Sequence, residues 1–169
     1  MLFESKSVLR TQSCWTSCSR SYAGTFEAIR QSRSRDLIYL KAYFAALATF
    51  LVVDGLWLGV VARKFYASQM GSLLRDNVNF LAAGGFYVFY VGGIVFFAVA
   101  PALADGSWKT AALRGAVLGL LAYGTYDITN LATIKDWPLT MSLVDMAWGT
   151  FLTAMVAVVG LLAARALSA

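Results

Sequence analysis

Histidine is absent from this chain of 169 residues, and cysteine and proline each occur only twice. The lack of histidine removes the commonest metal ligand and the commonest catalytic base, so a Ser-His-Asp hydrolase triad is excluded. The two cysteines, Cys14 and Cys18, lie near the N-terminus outside any apolar stretch. That placement argues against a disulfide scaffold and against a zinc site. We therefore expect no cofactor and no resident metal ion.

Charged residues are the second scarcity of the chain. They make up 14% of it, against about a quarter in ordinary soluble domains. Apolar residues make up 59%, and the mean hydropathy is +0.66. Because the composition departs from that of a soluble domain in both directions, we expect the protein in a lipid bilayer.

The net charge of +5 is concentrated near the N-terminus. Residues 1–36 hold six Lys or Arg and three Asp or Glu, whereas residues 37–169 hold eight and six. The apolar part is thus nearly neutral, unlike a nucleic-acid-binding surface, and we expect no nucleic-acid partner. Residues 1–36 lack the apolar run of a signal peptide and predict a disordered, basic tail rich in Ser and Arg. The alternative, which we favour over a functional tail, is that translation starts at Leu37 or Leu40.

Four apolar stretches are each long enough to cross a bilayer, which takes about 20 helical residues. They cover approximately residues 39–61, 80–103, 111–134 and 139–164. Trp108 and Trp137 fall at predicted ends, where an indole suits the boundary between lipid and water. The predicted fold class is therefore all-α, with residues 37–169 forming an integral-membrane four-helix up-down bundle.

Residues 63–79, between the first two stretches, are too polar to insert. Side chains that are largely apolar recur there every four residues, at Phe65 and Tyr66, Gln69 and Met70, and Leu73 and Leu74. Two interpretations stay open. The segment is either a short helix lying in the membrane interface, which we include in the predicted fold, or a surface loop.

The distribution of Lys and Arg predicts the orientation. One side of the membrane receives ten of them, namely the six of the tail with Lys41, Lys109, Arg114 and Arg165. The other side receives four, Arg63, Lys64, Arg75 and Lys135. The N-terminus is therefore predicted to be cytoplasmic, and without the tail the two sides are equal.

Three acidic residues lie inside the predicted spans, where a carboxylate is costly. Asp54 lies seven residues before the end of the first span, and Asp127 lies seven before the end of the third. Asp145 lies six residues after the start of the fourth span, which runs in the opposite direction. All three are thus predicted about 10 Å beneath the same surface of the membrane. Tyr87, seven residues into the second span, falls in the same layer.

Polar and aromatic residues accompany these acids at helical spacing. The predicted pocket for a substrate or cation comprises Asp54, Asp127, Asp145, Asn130, Tyr87, Trp57, Trp148 and Thr125. An oxygen-rich lining suits protons, hard cations, or a cationic or hydroxylated solute, and indole rings can add cation–π contact. The alternative is that the acids are hydrogen-bonded structural pins and that the tryptophans fill the bundle. No catalytic residue is identified.

Glycines recur at spacings that favour close helix packing. Gly115 and Gly119 form a small-xxx-small pair, and the doublets Gly84-Gly85 and Gly92-Gly93 predict further places of close approach. Packing accounts for these glycines without a function. Self-association of so small a bundle stays open as a homo-oligomer, beside the bilayer and an unknown small solute or lipid as partners.

Four segments around the acids carry a resemblance to a known family. They are Asp54-Gly-Leu-Trp57-Leu, Phe86-Tyr87-Val-Phe-Tyr90, Gly124-Thr-Tyr-Asp127-Ile-Thr-Asn130-Leu-Ala-Thr133 and Asp145-Met-Ala-Trp148-Gly149. These segments resemble the motifs of DUF2177, a family of bacterial membrane proteins of unknown function. The resemblance runs from about Lys41 to Ala164. It implies a small multi-pass protein of the bacterial inner (plasma) membrane, and it implies no activity.

Three hypotheses for the function follow. The first is a membrane protein that binds or moves a small solute, proton or cation at the intramembrane carboxylate cluster. The second is a lipid-modifying enzyme, or its membrane partner, that uses one acid as a base. The third is a structural scaffold without chemistry of its own.

Overall fold

The computed structural model describes residues 4–71, 74 and 77–167, and within these ranges all regular secondary structure is helical. The all-α expectation is confirmed for this part of the chain. The chain divides into two compact units at the step from Leu37 to Ile38. Leu73 and Arg75, which entered the predictions for the interfacial segment and for the orientation, lie outside the described residues.

The first unit contains the beginning of α1, which runs from Glu4 to Leu56. Residues 4–36 thus have a helical backbone, and the disorder expected of residues 1–36 stays a prediction. The segment contains no proline and a single glycine, Gly24, so little in its sequence interrupts a helix. The side chains described in this unit, Glu27 and residues 30–37, are exposed. A separate N-terminal tail stays a prediction.

In the second unit, α1 buries one narrow face. Ala42, Ala46, Phe50 and Asp54 are buried at intervals of four residues, which places them in one stripe along the helix. The apolar side chains on its other faces, such as Phe44 and Val52, are more than half exposed. This pattern is typical of a helix that packs on its neighbours along one side and meets lipid on the others.

A wide turn and a short helix follow α1. Residues Trp57–Val61 form a π-helical segment, π1, in which the Ala62 N–H donates to the Trp57 carbonyl at 2.7 Å. Helix α2 then covers Arg63–Met70 and ends at Gly71, whose φ of 49° suits a residue without a side chain. The short helix expected after the first span is therefore present, and its position in the membrane interface stays a prediction.

The second long helical segment is interrupted by a second wide turn. Helix α3 covers Phe80–Ile94, π2 covers Val95–Val99, and α4 covers Ala100–Asp105. The Asn79 side chain caps α3 by accepting a hydrogen bond from the Ala82 N–H at 3.1 Å. Pro101, the second residue after π2, has no N–H to donate, which explains why the regular hydrogen-bond ladder is disturbed here.

Helices α5 (Trp108–Thr133) and α6 (Leu139–Ala166) pack against each other more extensively than any other pair of elements in the described part of the chain. The backbones approach closely at glycines. A Cβ on Gly115 would lie 2.8 Å from the Thr153 carbonyl oxygen, and one on Gly119 would overlap the Gly149 carbonyl. The prediction of close packing at Gly115 and Gly119 is confirmed.

The glycine doublets of α3 do not take part in such a contact. A Cβ on Gly84, Gly85, Gly92 or Gly93 would meet nothing within 4 Å. The prediction of close helix approach at these residues is therefore wrong within the described chain. The spacing of glycines did not distinguish a helix face that meets a neighbour from one that faces outward.

Three helical segments of the described residues are long and apolar enough to cross a membrane, namely Arg30–Val61, Phe80–Asp105 and Leu139–Ala166. They correspond to the first, second and fourth predicted spans. Helix α5 corresponds to the third and has the necessary length, but it is not among them. It carries Lys109, Arg114 and Asp127 within its 26 residues, which lowers its hydropathy.

Candidate functional site

A cavity of about 1090 Å³ lies in the second unit, where most of its helices meet. Four of the predicted pocket residues line it, namely Asp54, Tyr87, Asp145 and Trp148. The remaining lining is largely apolar and includes Leu51, Leu58, Met70, Leu74, Val78 and Phe80. The cavity therefore combines an acidic, hydrogen-bonding part with an apolar part.

Asp54 on α1 is held by side chains of two other helices. The Tyr87 hydroxyl on α3 donates to Oδ2 at 2.7 Å, and the Trp148 Nε1 on α6 donates to Oδ1 at 3.1 Å. Asp54 is only 3% exposed. Donors to both oxygens offset part of the cost of burying a carboxylate. This one side chain thus connects three helices at the cavity wall.

Asp145 on α6 accepts a hydrogen bond from the Tyr66 hydroxyl on α2. Burial, together with this hydrogen bond, raises the pKa of Tyr66 above its ordinary value, so the phenol keeps its proton and acts as the donor. The Trp57 Nε1 lies 3.4 Å from the same hydroxyl and donates to it. The rings of Trp57 and Trp148 stack with centroids 4.1 Å apart and planes within 9°. The stacked pair joins the surroundings of Asp54 to those of Asp145.

Asp127 on α5 is fully buried and lies behind Asp145 rather than in the cavity lining. It interacts electrostatically with Asp145 and Ser142 of α6, while neither of its oxygens has a hydrogen bond of ordinary geometry. Asp145 in turn interacts with Asp54. The three acids therefore interact with one another, and their common depth in the membrane stays a prediction. No Lys or Arg of the described residues contributes to the electrostatic surroundings of Asp127 or Asp145.

Like Asp127 and Trp57, the predicted pocket residues Thr125 and Asn130 are not part of the cavity lining. Thr125 is exposed, and its hydroxyl donates to the Leu121 carbonyl of its own helix at 2.6 Å. It precedes Asp127 by two residues, which turns it about 200° away around the helix. Asn130 is partly buried and interacts with the Tyr126 side chain on the same helix. That the converging residues form a functional site stays a prediction.

Tyr66 and Tyr123 line the cavity and were absent from the predicted pocket. Tyr66 belongs to the four-residue pattern of residues 63–79, but that pattern does not show which distant residue an interfacial side chain contacts. Tyr123 precedes Asp127 by one helical turn and packs on Gly149, where any Cβ would overlap its ring. Gly149, which follows Trp148 directly, is the feature of the sequence that could have predicted this contact.

The fold and this site define an integral membrane protein with several apolar helices and a cluster of acidic residues inside the bundle. A family profile described as predicted membrane protein (DUF2177) matches residues 39–162. The chain therefore belongs to the DUF2177 family, as the sequence motifs indicated. No curated protein and no solved structure matches the chain.

Proposed function

We propose that the second unit spans the inner (plasma) membrane of a bacterium four times, as an up-down bundle with a cytoplasmic N-terminus. The 26 residues of α5 correspond to about 39 Å of helix, more than the hydrocarbon core requires. The close contact of α5 with α6 supports its insertion, because α6 shields much of the face that carries Asp127. The excess of Lys and Arg on the N-terminal side supports the orientation.

We further propose that the protein binds or moves a small solute, proton or cation at the cavity. The observation that carries this proposal is that Asp54 and Asp145, from different helices, line one cavity beside buried Asp127. Burying three carboxyl groups together costs stability, and hydrophobic replacements for such groups are often neutral or stabilising. Acids kept inside a membrane at that cost are by default a functional site.

The residues take distinct parts in this proposal. Asp54 and Asp145 contact the solute, while Tyr87, Trp148 and Tyr66 position the two carboxyl groups through the hydrogen bonds described above. Asp127 lies beyond Asp145 and provides a second acceptor for a proton that leaves it. The cluster can therefore bind a positive charge while a proton moves between neighbouring carboxyl groups.

The experiment is to reconstitute the protein in proteoliposomes that contain a pH-sensitive dye and to measure proton and methylammonium flux. We expect Asp54→Asn, Asp127→Asn and Asp145→Asn to abolish the flux that the unaltered protein supports. Asp136→Asn is the matched control, because Asp136 is an exposed carboxylate in the connection before α6. Unchanged flux in all three folded variants would contradict transport through the cluster. Lost stability without any change in flux would favour the scaffold hypothesis.

A second function is favoured by the apolar part of the cavity, namely modification of a lipid or partnership with an enzyme that carries it out. Neighbouring carboxyl groups such as Asp127 and Asp145 can supply an acid and a base when their environments differ. The lipid profile of a deletion strain discriminates between the functions. A missing or altered lipid supports the enzyme, and an unchanged profile supports solute binding.

A further inference from the structure

We infer that the ligand of the cavity is a cationic amphiphile, a molecule with an ammonium group on an apolar body. This inference rests on the proposed binding function and names the class of ligand. It follows from the two-part lining of the cavity, from the surroundings of its acids and from the aromatic side chains beside them.

The lining separates into an acidic part and an apolar part. Asp54 and Asp145 are contributed by α1 and α6, whereas Leu74 and Val78 are contributed by the chain between α2 and α3, and Phe80 by the start of α3. A volume of about 1090 Å³ is at the upper end of the usual range for small-molecule sites. A bare proton or metal ion would leave most of this space and all of its apolar wall unused. An amphiphile uses both.

The charge of the acidic part favours a cation. Asp145 interacts with two further carboxyl groups, and no basic side chain is among the groups that act on it within the described chain. Its phenol partner Tyr66 and the donors to Asp54 are neutral. An ammonium group placed between Asp54 and Asp145 would provide the positive charge that the surroundings of these acids lack. Its hydrogen bonds to water in solution would be replaced by charge-assisted hydrogen bonds to the two carboxylates.

Aromatic side chains surround the same place. Tyr66, Tyr87, Tyr123 and Trp148 all line the cavity. The stack with Trp57 covers one face of Trp148 and fixes the orientation of its indole. Rings next to carboxyl groups are the arrangement that recognises organic ammonium groups, because the ring faces attract the positive charge.

Arg63 also lines the cavity, and a basic side chain there favours the opposing interpretation that the ligand is anionic. Its side chain is exposed, whereas Asp54 is buried. An anionic headgroup would therefore bind at Arg63 on the exposed part of the lining and leave Asp54 and Asp145 without a positively charged partner. The experiment includes an anionic probe for this reason.

The experiment measures quenching of tryptophan fluorescence by brominated amphiphiles of equal chain length in neutral detergent. The probes are dodecylamine, dodecanol and dodecyl sulfate, each brominated at the same carbon. At neutral pH the amine is protonated, as a lysine side chain is. All three probes partition into the micelle, which gives each of them the same background quenching. We therefore compare the saturable quenching by the amine and by the sulfate with that by the alcohol.

We expect saturable excess quenching by the amine alone. Asp54→Asn and Asp145→Asn should each raise the amine concentration at half-saturation by about tenfold, which is the effect of losing one charge-assisted contact. The control Asp136→Asn should not change it. Ala83→Phe adds a large side chain to the cavity lining, leaves all three acids in place and should abolish the excess, which keeps the inference testable if an acid variant fails to fold.

The outcomes separate this inference from the function on which it rests. Equal saturable quenching by amine and alcohol, lost in Ala83→Phe, would retain binding at the cavity and overturn the cationic class. Preference for the sulfate would overturn it in favour of Arg63. Absence of saturable quenching by every probe would overturn the inference, and the flux measurement would then decide whether the cavity binds a proton or a smaller cation.

Nanodiscs then distinguish two sources of the same ammonium chemistry. If lipids with an ethanolamine headgroup suppress the amine signal and lipids with a glycerol headgroup do not, the ligand is a membrane lipid. If neither lipid suppresses it, the ligand is a free amphiphilic amine. Both results support the cationic class.

Discussion

At the scale of single residues, Asp54 determines how the cavity wall is assembled. Its two oxygens are satisfied by side chains from α3 and α6, and it is itself the last member of the buried stripe of α1. A carboxyl group in this position contributes stability only while its donors are present. Removing one donor leaves a buried acceptor unsatisfied, which is more costly than the hydrogen bond itself.

We therefore expect Tyr87→Phe to lower the free energy of unfolding by about 1–3 kcal/mol. The substitution keeps the ring and removes only the hydroxyl that donates to Asp54. The measurement is a denaturant titration in detergent, followed by circular dichroism. Tyr39→Phe is the control, because Tyr39 is 39% exposed. Equal stability of the two variants would show that the Tyr87 hydroxyl contributes nothing to the fold.

At the scale of secondary-structure elements, the glycines have opposite roles in different helices. Gly119 lies where α5 meets the backbone of α6, whereas Gly92 on α3 has open space around it. Adding a methyl group at Gly119 displaces two helices. Adding one at Gly92 only lowers the conformational entropy of the unfolded chain. The same substitution should therefore have opposite effects.

We expect Gly119→Ala to destabilise the protein by about 1–3 kcal/mol through overpacking. Gly92→Ala should stabilise it by up to about 1 kcal/mol, because alanine is the better helix former. The free energies of unfolding of the two variants, measured side by side, check both signs. A destabilised Gly92→Ala protein would indicate that this face of α3 is covered in the membrane, for example by a second copy of the chain.

Helix α2 supplies a second prediction at this scale. The hydrogen bond from Tyr66 to Asp145 joins this helix of eight residues to α6. Without it, α2 loses its hydrogen bond to α6, and a helix this short is not stable alone. Tyr66→Phe should therefore increase amide hydrogen exchange over residues 63–70 and leave α5 and α6 unchanged, as measured by mass spectrometry. Uniform exchange across all helices would instead indicate a general loss of stability.

At the scale of the whole molecule, the sequence predicted the class of fold and the convergence of the acids. Apolar length located the helices, and counting from their ends placed Asp54, Asp127 and Asp145 in one layer. The partners of each acid were not predictable, because Tyr66 lies 79 residues from Asp145 along the chain. Thr125 was predicted in the pocket with Asp127, but the turn of the helix between them places the two side chains on different faces. Side-chain contacts between helices depend on rotation about each axis, which hydropathy does not determine.

The proposed orientation gives a prediction for the whole molecule. In a protein with Cys14→Ser and Cys18→Ser, a cysteine at Ala83 in the cavity lining should react with a membrane-impermeant maleimide added outside spheroplasts. Ala98→Cys is the buried control and should not react. Reaction only after the cytoplasmic side is exposed would reverse the orientation. Protection from both sides would show that water does not reach the cavity.

The backbone contact between α5 and α6 has a consequence for motion. Gly115 and Gly119 bring the main chains of the two helices together. If one helix slid along the other, backbone carbonyl groups and the Tyr123 ring would clash with the facing helix. These helices therefore form a fixed platform that keeps Asp127 beside Asp145. Any gating that admits a molecule must come from the opposite wall, where the Tyr66 hydroxyl joins the short helix α2 to α6, α1 ends in the wide turn π1, and α3 begins at Phe80.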